Sequence, residues 1–337
     1  MPSFKKISLK DIAGAAGVSP ALVSFVLNGR GKEHRVGEQT EKHILKIARE
    51  MNYQPNLAAK SLRSGKTKTI GVVLSDISNP FFAQIARILE DEATKSGYTV
   101  LFGSSDEDAN KMNRVVGNLI NKGVDGLLVV PCEKTEKSIE TLLKNDVPLV
   151  LFDRYFAGLA ASYVTLNNFK AAYVATKHLI DAGYKSPGMV AYDINLSHMN
   201  ERIRGYKQAM EDCNLRAFVN VGFLKHNSPR KSADKLVPQM IASGVDAFLF
   251  ATNTISLMCL YAVRDANLEI PAKYGIVGFD GNAAFDFFHA PLSYIRQPVE
   301  VLSQKAIEML IDVISHGNTV QSILIDGELI ARKSTNK

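Results

Sequence analysis

Few residues in this chain stand at spacings that do chemistry. Among 337 residues there are 7 histidines and 3 cysteines, and none falls into a nucleophile, base and carboxylate order or a metal-ligand spacing. HExxH, CxxC and GxSxG are absent. SGKTKT contains GKT, but a phosphate-binding loop needs a glycine where Lys60 stands; GRGKEH begins a dinucleotide fingerprint that fails at His34. The sequence therefore argues against an enzyme and predicts no metal and no cofactor. Two acidic residues are better placed. Asp153 lies in VPLVLFDR and Asp280 in YGIVGFDG, each closing an apolar run, and ligands of parallel sheets gather beyond the carboxyl ends of strands. The other candidate surface is Leu9–Asn28, LKDIAGAAGVSPALVSFVLN.

The elements that must position these groups follow from periodicity. Leu9, Ile12, Ala13 and Ala16 make one helical stripe, with Ser8 as N-cap and Asp11 in capping-box position. Gly17 stops that helix. Ser19 and Pro20 start a second, since serine caps and proline is tolerated at the first helical position. Helix, glycine turn and helix make the helix-turn-helix unit, although an ordinary helical hairpin has the same pattern. Val23, Val26 and Leu27 face inward, which leaves Pro20, Ala21 and Phe25 for a groove. A third helix is predicted from about Gln39 to NYQP.

Charge supports the nucleic-acid reading. The net charge is +6, yet residues 1–68 hold 13 lysines and arginines against 5 acidic residues, and the remainder 27 against 29. A basic head on a near-neutral body is what phosphate binding requires. Cys132, Cys213 and Cys259 lie in or beside apolar runs, as small core residues of a reducing compartment do. With no signal-like N-terminus and no run of membrane-spanning length, the expectation is a cytoplasmic protein that does not meet a membrane.

From Thr69 onward, apolar strands alternate with amphipathic helices, which implies parallel sheets covered on both faces. Ile120–Pro131 is echoed by Ile241–Thr252, and Val147–Arg154 by Tyr274–Gly281. The echoes predict two α/β subdomains enclosing a cleft, with chance similarity of buried strands as the alternative. The expected organisation is a three-helix head over residues 1–54, a hinge and linker over 55–68 and a body over 69–337. Within the body, one doubly wound subdomain takes about 69–166 and 298–320; the other takes about 167–297 and 321–337.

LKDIAGAAGVSP, NYQPNLAAKSLRSGKTKTIGV, SNPFFAQI, VPLVLFDR, HLIDAGY, ERIRGY, IPAKYGIVGFD, APLSYIRQP and ELIARKST occur in that order. In them the chain resembles the lactose-repressor (LacI/GalR) family of bacterial transcription regulators over essentially its full length. The resemblance implies a homodimer, with a tetramer left open, whose heads read a pseudo-palindromic operator in double-stranded DNA. It also implies a periplasmic-binding-protein-like body that senses a small, carbohydrate-like molecule. The alternative is a cytoplasmic small-molecule binding protein that never touches DNA.

Residue by residue, the resemblance implies base-facing positions at Pro20, Ala21 and Phe25, and positions near the DNA backbone at Ser24 and Asn28. Ser8, Ser19, Leu22, Tyr53 and Asn56 complete the implied DNA-facing set. Ala59 and Leu62 match the hinge, where a leucine wedges between base steps in the minor groove; packing of Leu62 on the body is the alternative. Phe25 stands where the family usually has arginine, and Leu22 where it has threonine. Phenylalanine offers a base only apolar contact, for instance to a thymine methyl. The loop before Val36 is longer than usual. For the effector, the resemblance implies Phe81, Phe82, Asp153, His198, Arg202, Asn253, Asp280 and Gln297, with aromatic faces for a ring and charged groups for hydroxyl or carbonyl atoms.

Overall fold

The computed structural model describes residues 7–53 and 65–336, and the chain divides into two compact units at Thr67/Lys68. Asn56, Ala59 and Leu62 lie outside the described residues. Among the described residues no single helix is long and apolar enough to cross a membrane, and no group of histidine, cysteine or acidic side chains is placed to hold a metal.

The head has helices α1 (Leu9–Ala16), α2 (Pro20–Leu27) and α3 (Glu38–Glu50). The capping box forms: the Ser8 hydroxyl accepts from Asp11 N–H, and the Asp11 carboxylate accepts from Ser8 N–H at 2.8 Å. Gly17 closes α1 with φ 65, a left-handed conformation that favours glycine. The Ser19 hydroxyl then caps α2. The axes of α1 and α2 turn by 106°, within the range of the helix-turn-helix unit. Ile12, Ala13, Val23, Val26, Ile44 and Ala48 form the head's own core, with Leu22, Leu27 and Tyr53 packed at its margin.

The body holds two six-stranded sheets. In chain order its elements begin β1 (Thr69–Leu74), α4 (Pro80–Lys95), β2 (Thr99–Ser104), α5 (Ala109–Asn121), β3 (Gly126–Val129), α6 (Glu136–Lys144), β4 (Leu149–Phe152) and β5 (Ser162–Leu166). The chain then passes into α7 (Asn168–Asp181), β6 (Pro187–Tyr192), α8 (Ser197–Asp212), β7 (Asn220–Leu224), α9 (Pro229–Ala242), β8 (Ala247–Phe250) and α10 (Asn253–Asp265). It ends with β9 (Gly275–Phe279), α11 (Ala284–Phe287), β10 (Ser293–Arg296), α12 (Val299–His316), β11 (Ser322–Ile325) and β12 (Glu328–Ile330).

The sheet orders are β11-β5-β4-β3-β1-β2 and β12-β10-β9-β8-β6-β7. Every pairing is parallel except β10 with β12. The echoed segments occupy equivalent places: β3 and β8 are fourth in their sheets, β4 and β9 third. Strands β3, β4, β8 and β9 are buried along their whole length, as strands covered by helices on both faces must be.

One boundary differs from the sequence reading. The sequence places residues 321–337 in the second subdomain, but β11 pairs with β5 in the first sheet, and only β12 joins the second. Chain order gives no warning, because two short strands separated by only two residues enter different sheets. The chain therefore passes between the subdomains three times: after β5, after β10 and between β11 and β12.

Candidate functional site

The carboxyl ends of both sheets open on a cleft of about 610 Å³. All eight residues expected to meet an effector line it: Phe81, Phe82, Asp153, His198, Arg202, Asn253, Asp280 and Gln297. The two aspartates are structural equivalents. Asp153 follows β4 with φ 66 and Asp280 follows β9 with φ 61, both left-handed. Each donates its backbone N–H to the next strand, Asp153 to Val164 O at 3.0 Å and Asp280 to Ile295 O at 2.9 Å. This kink turns each carboxylate off its strand and into the cleft.

Arg202 is buried on α8. Its Nε donates to Asn168 Oδ1 at 2.8 Å, its Nη1 donates to the Ala251 carbonyl, and its guanidinium lies 4.0 Å over the Phe279 ring. Burial lowers its pKa, against the opposing pull of Asp280 and Asp153. Gln297 Nε2 donates to Asp280 Oδ1 at 2.7 Å. Burial raises the Asp280 carboxyl to about 6, partly offset by Arg202 and Gln297, and burial likewise raises Asp153. His198 is driven well below the usual histidine range by burial and by the Arg154 and Arg202 charges. Its Nδ1 is buried with no hydrogen-bond partner among the described residues.

The cleft also contains groups the sequence reading did not single out. Arg154, next to Asp153, makes two 2.9 Å hydrogen bonds to Glu107 and a 3.4 Å contact to Asp153. Burial by itself lowers the Arg154 pKa, but Glu107 and Asp153 outweigh it and leave the pKa raised. Tyr192 and His226 form a ring pair 5.0 Å apart on the cleft wall. Tyr192 ends β6 and His226 lies two residues past β7, which is the available signal, the same strand-end rule that marks the aspartates. Three hydrogen bonds cross the cleft: Asn253 Nδ2 to Asn79 Oδ1 at 3.1 Å, Tyr155 N to Ser197 Oγ at 2.8 Å, and Asn195 N to Glu133 Oε1 at 2.7 Å.

A profile of a periplasmic binding protein domain matches residues 70–318, and one of bacterial regulatory proteins, lacI family, matches residues 8–56. An HTH-type transcriptional repressor PurR of Aliivibrio salmonicida (strain LFI1238) is 30% identical over 335 residues, covering 98% of this chain and 99% of that protein. This chain belongs to the lacI family of bacterial regulatory proteins. Another PurR repressor of that description, from Haemophilus influenzae (strain PittEE), is 31% identical over 336 residues, covering 97% of this chain and 98% of its own. Among solved structures, a lac repressor dimer bound to operator and the anti-inducer ONPF superposes with TM-score 0.85 at 22% identity, covering 98% and 99% of the two chains. A putative ribose operon repressor from Burkholderia thailandensis gives TM-score 0.70 at 26% identity, over 78% of this chain and 98% of its own. These relatives are transcriptional repressors, not enzymes.

As a lacI-family member this chain is a DNA-binding transcription regulator with a ligand-binding body. In its head, Pro20, Ala21, Ser19 and Asn28 are exposed, and Ser24 is half-buried. The Ser8 hydroxyl donates to Asp11 at 2.7 Å and so is engaged in the cap. Asn28 Nδ2 donates to the Ser24 carbonyl at 2.7 Å. Leu22 is half-buried against the head core. Phe25 is half-buried and does not stand alone. Its ring is stacked on that of His34, centroids 3.5 Å apart and planes 13° off parallel. Nothing in the sequence marks this contact, because the loop carrying His34 has no regular period.

Proposed function

We propose that this regulator is a repressor that acts in the cytoplasm as a homodimer. Its heads read a pseudo-palindromic operator, and its cleft senses an uncharged carbohydrate. The observation that carries the ligand class is the charge pattern of the cleft. Asp76, Asp106, Glu107, Asp153 and Asp280 line it against Arg154 and Arg202. Both guanidiniums are already engaged, Arg154 with Glu107 and Arg202 with Asn168 and the Ala251 carbonyl. A phosphate would face five carboxylates, whereas sugar hydroxyls donate to carboxylates and Phe81, Tyr192 and His226 offer faces to a ring. Two solved structures of the same fold hold sugars, the transcriptional regulator CelR with cellobiose and a periplasmic binding protein/LacI transcriptional regulator from Alkaliphilus metalliredigens with D-xylulofuranose.

The proposed DNA contacts come from Ser19, Pro20, Ala21, Ser24 and Asn28 on the second helix. Ser8, Leu22 and Tyr53 fix its orientation, and Asn56, Ala59 and Leu62 act at the hinge. In this reading Phe81, Phe82, Asp153, His198, Arg202, Asn253, Asp280 and Gln297 hold the effector. An effector shifts operator affinity only if it binds the DNA-competent and incompetent states unequally; couplings of about 1–3 kcal/mol give roughly 5- to 150-fold changes.

The test is a thermal-shift and calorimetric panel of neutral sugars, nucleosides and phosphorylated sugars on the full chain. A ligand that binds only the folded state raises its stability by mass action, so a neutral sugar should raise Tm in a concentration-dependent way. Stabilisation by a phosphorylated sugar, with neutral sugars inert, would refute the ligand class.

A further inference from the structure

We propose that Phe25 is a shelf for a base-reading side chain. His34, delivered by the Gly29–Arg35 loop, lies on the Phe25 ring and presents its imidazole edge to a base pair in the major groove. This rests on the reading of α2 as the DNA-reading helix. On α2, Val23 and Val26 are buried in the head core, while Ala21, Phe25 and Asn28 stand at i, i+4 and i+7 on the opposite face. A phenyl ring has neither donor nor acceptor, and here the imidazole covers one of its faces.

The loop that brings His34 there is fastened. Arg30 N donates to Phe25 O at 2.8 Å, His34 N to Arg30 O at 3.2 Å and Val36 N to Gly31 O at 2.9 Å. Gly29 turns with φ 71, and Arg30 Nε pairs with Glu33 Oε2 at 2.7 Å. His34 is exposed, flanked by exposed Lys32 and Arg35. A neutral imidazole carries one N–H donor and one ring-nitrogen acceptor, which match purine N7 or guanine O6 and the amino groups of adenine or cytosine. Because the stack holds the ring in place before binding, less ordering entropy is lost on DNA.

The experiment is selection of the full chain against a randomised duplex pool, repeated for His34→Ala, Phe25→Leu and Phe25→Tyr. His34→Ala and Phe25→Leu should each lose about tenfold of discrimination at the same base pair of each half-site, the scale of one mismatch. The double variant should lose no more than either alone. Phe25→Tyr, which keeps a ring beneath the imidazole, should retain the preference. In NMR spectra the His34 ring protons should lie upfield in the wild type and move downfield in Phe25→Leu as the ring current is removed. Unchanged selection, loss at different positions in the two variants, or loss spread evenly over all sequences overturns the proposal. A wild-type chain that enriches no sequence overturns the reading of α2 itself, and this inference with it.

Discussion

Burial holds the Asp280 carboxyl at about 6, well above an exposed aspartate. A raised pKa means the folded state keeps a proton that the unfolded chain has released, so this group favours folding below pH 4 and loses that contribution as pH rises to 6. The difference amounts to about 3 kcal/mol. Asp280→Asn should flatten this part of the profile, seen by comparing urea-unfolding free energies of variant and wild type between pH 4 and 7. Under the proposed carbohydrate reading, ligand hydroxyls that donate to this carboxylate favour its ionised form, so effector affinity should rise with pH through about 6 in the wild type only.

His198 slopes the other way. Its depressed pKa makes the neutral ring the folded form, and stability falls as pH drops below the unfolded histidine's value. Replacing it by leucine removes an unpartnered buried nitrogen. His198→Leu should therefore leave ligand-free stability within about 1 kcal/mol of the wild type or above it, while effector affinity measured by calorimetry falls roughly tenfold. Arg202 is a poorer probe, since its bonds to Asn168 and Ala251 and its stack on Phe279 also hold the fold together.

At this scale the sequence discloses the residues that end strands and hides their partners. Asp153 and Asp280 are legible because each closes an apolar run. The pairing of Arg154 with Glu107, 47 residues away, and of Phe25 with His34 depends on tertiary placement that no local pattern encodes.

Among the elements, helices α7 and α8 approach each other closely at Gly205. A Cβ on Gly205 would come within 2.1 Å of the Phe169 carbonyl oxygen and 3.1 Å of Tyr173 N. These are backbone atoms of a packed helix, with no flexible end to give way. Gly205→Ala should destabilise the body by about 3 kcal/mol, the upper part of the overpacking range, measurable by chemical denaturation of the full chain. Helix termini were the most readable elements, because a capping box and a left-handed glycine are local chemistry. Strand β11 was the least readable. Asp326-Gly327 between two short apolar runs is a hairpin signal, yet Asp326 accepts instead from Asn167 at 3.1 Å and pairs with Lys170, and the two strands part into different sheets. Edge pairing of this kind is decided by which sheet has a free margin, and four-residue windows do not carry that information.

For the whole molecule, the two faces of the cleft are joined by the hydrogen bonds from Asn253, Tyr155 and Asn195. Asn79 both caps α4, through Phe81 N–H at 3.1 Å, and accepts from Asn253 across the cleft. Asn79→Ser keeps a capping hydroxyl on a shorter arm, so it should weaken closure without unseating α4. Effector affinity should fall several-fold, with a double-mutant cycle against Asn253→Ala showing coupling of about 0.5–1.5 kcal/mol. The head's charge makes a separate prediction. Operator affinity of the full chain should fall steeply with salt, by about 0.9 logarithmic units per tenfold salt for each phosphate neutralised. A chain lacking residues 1–68 should not bind DNA in a filter or anisotropy assay; retention at full strength would refute the assignment.

The three passages of chain between the subdomains have a mechanical meaning. Three tethers side by side act like the knuckles of a door: they let one leaf swing on the other but resist sliding and independent twisting. The body then has a single coordinate to report, an angle. A ligand that fills the cleft and one that merely enters it differ only in where they stop the swing. A graded series of ligands should therefore move operator affinity and cleft width along one line, measurable together by a distance probe spanning the cleft and by DNA titration.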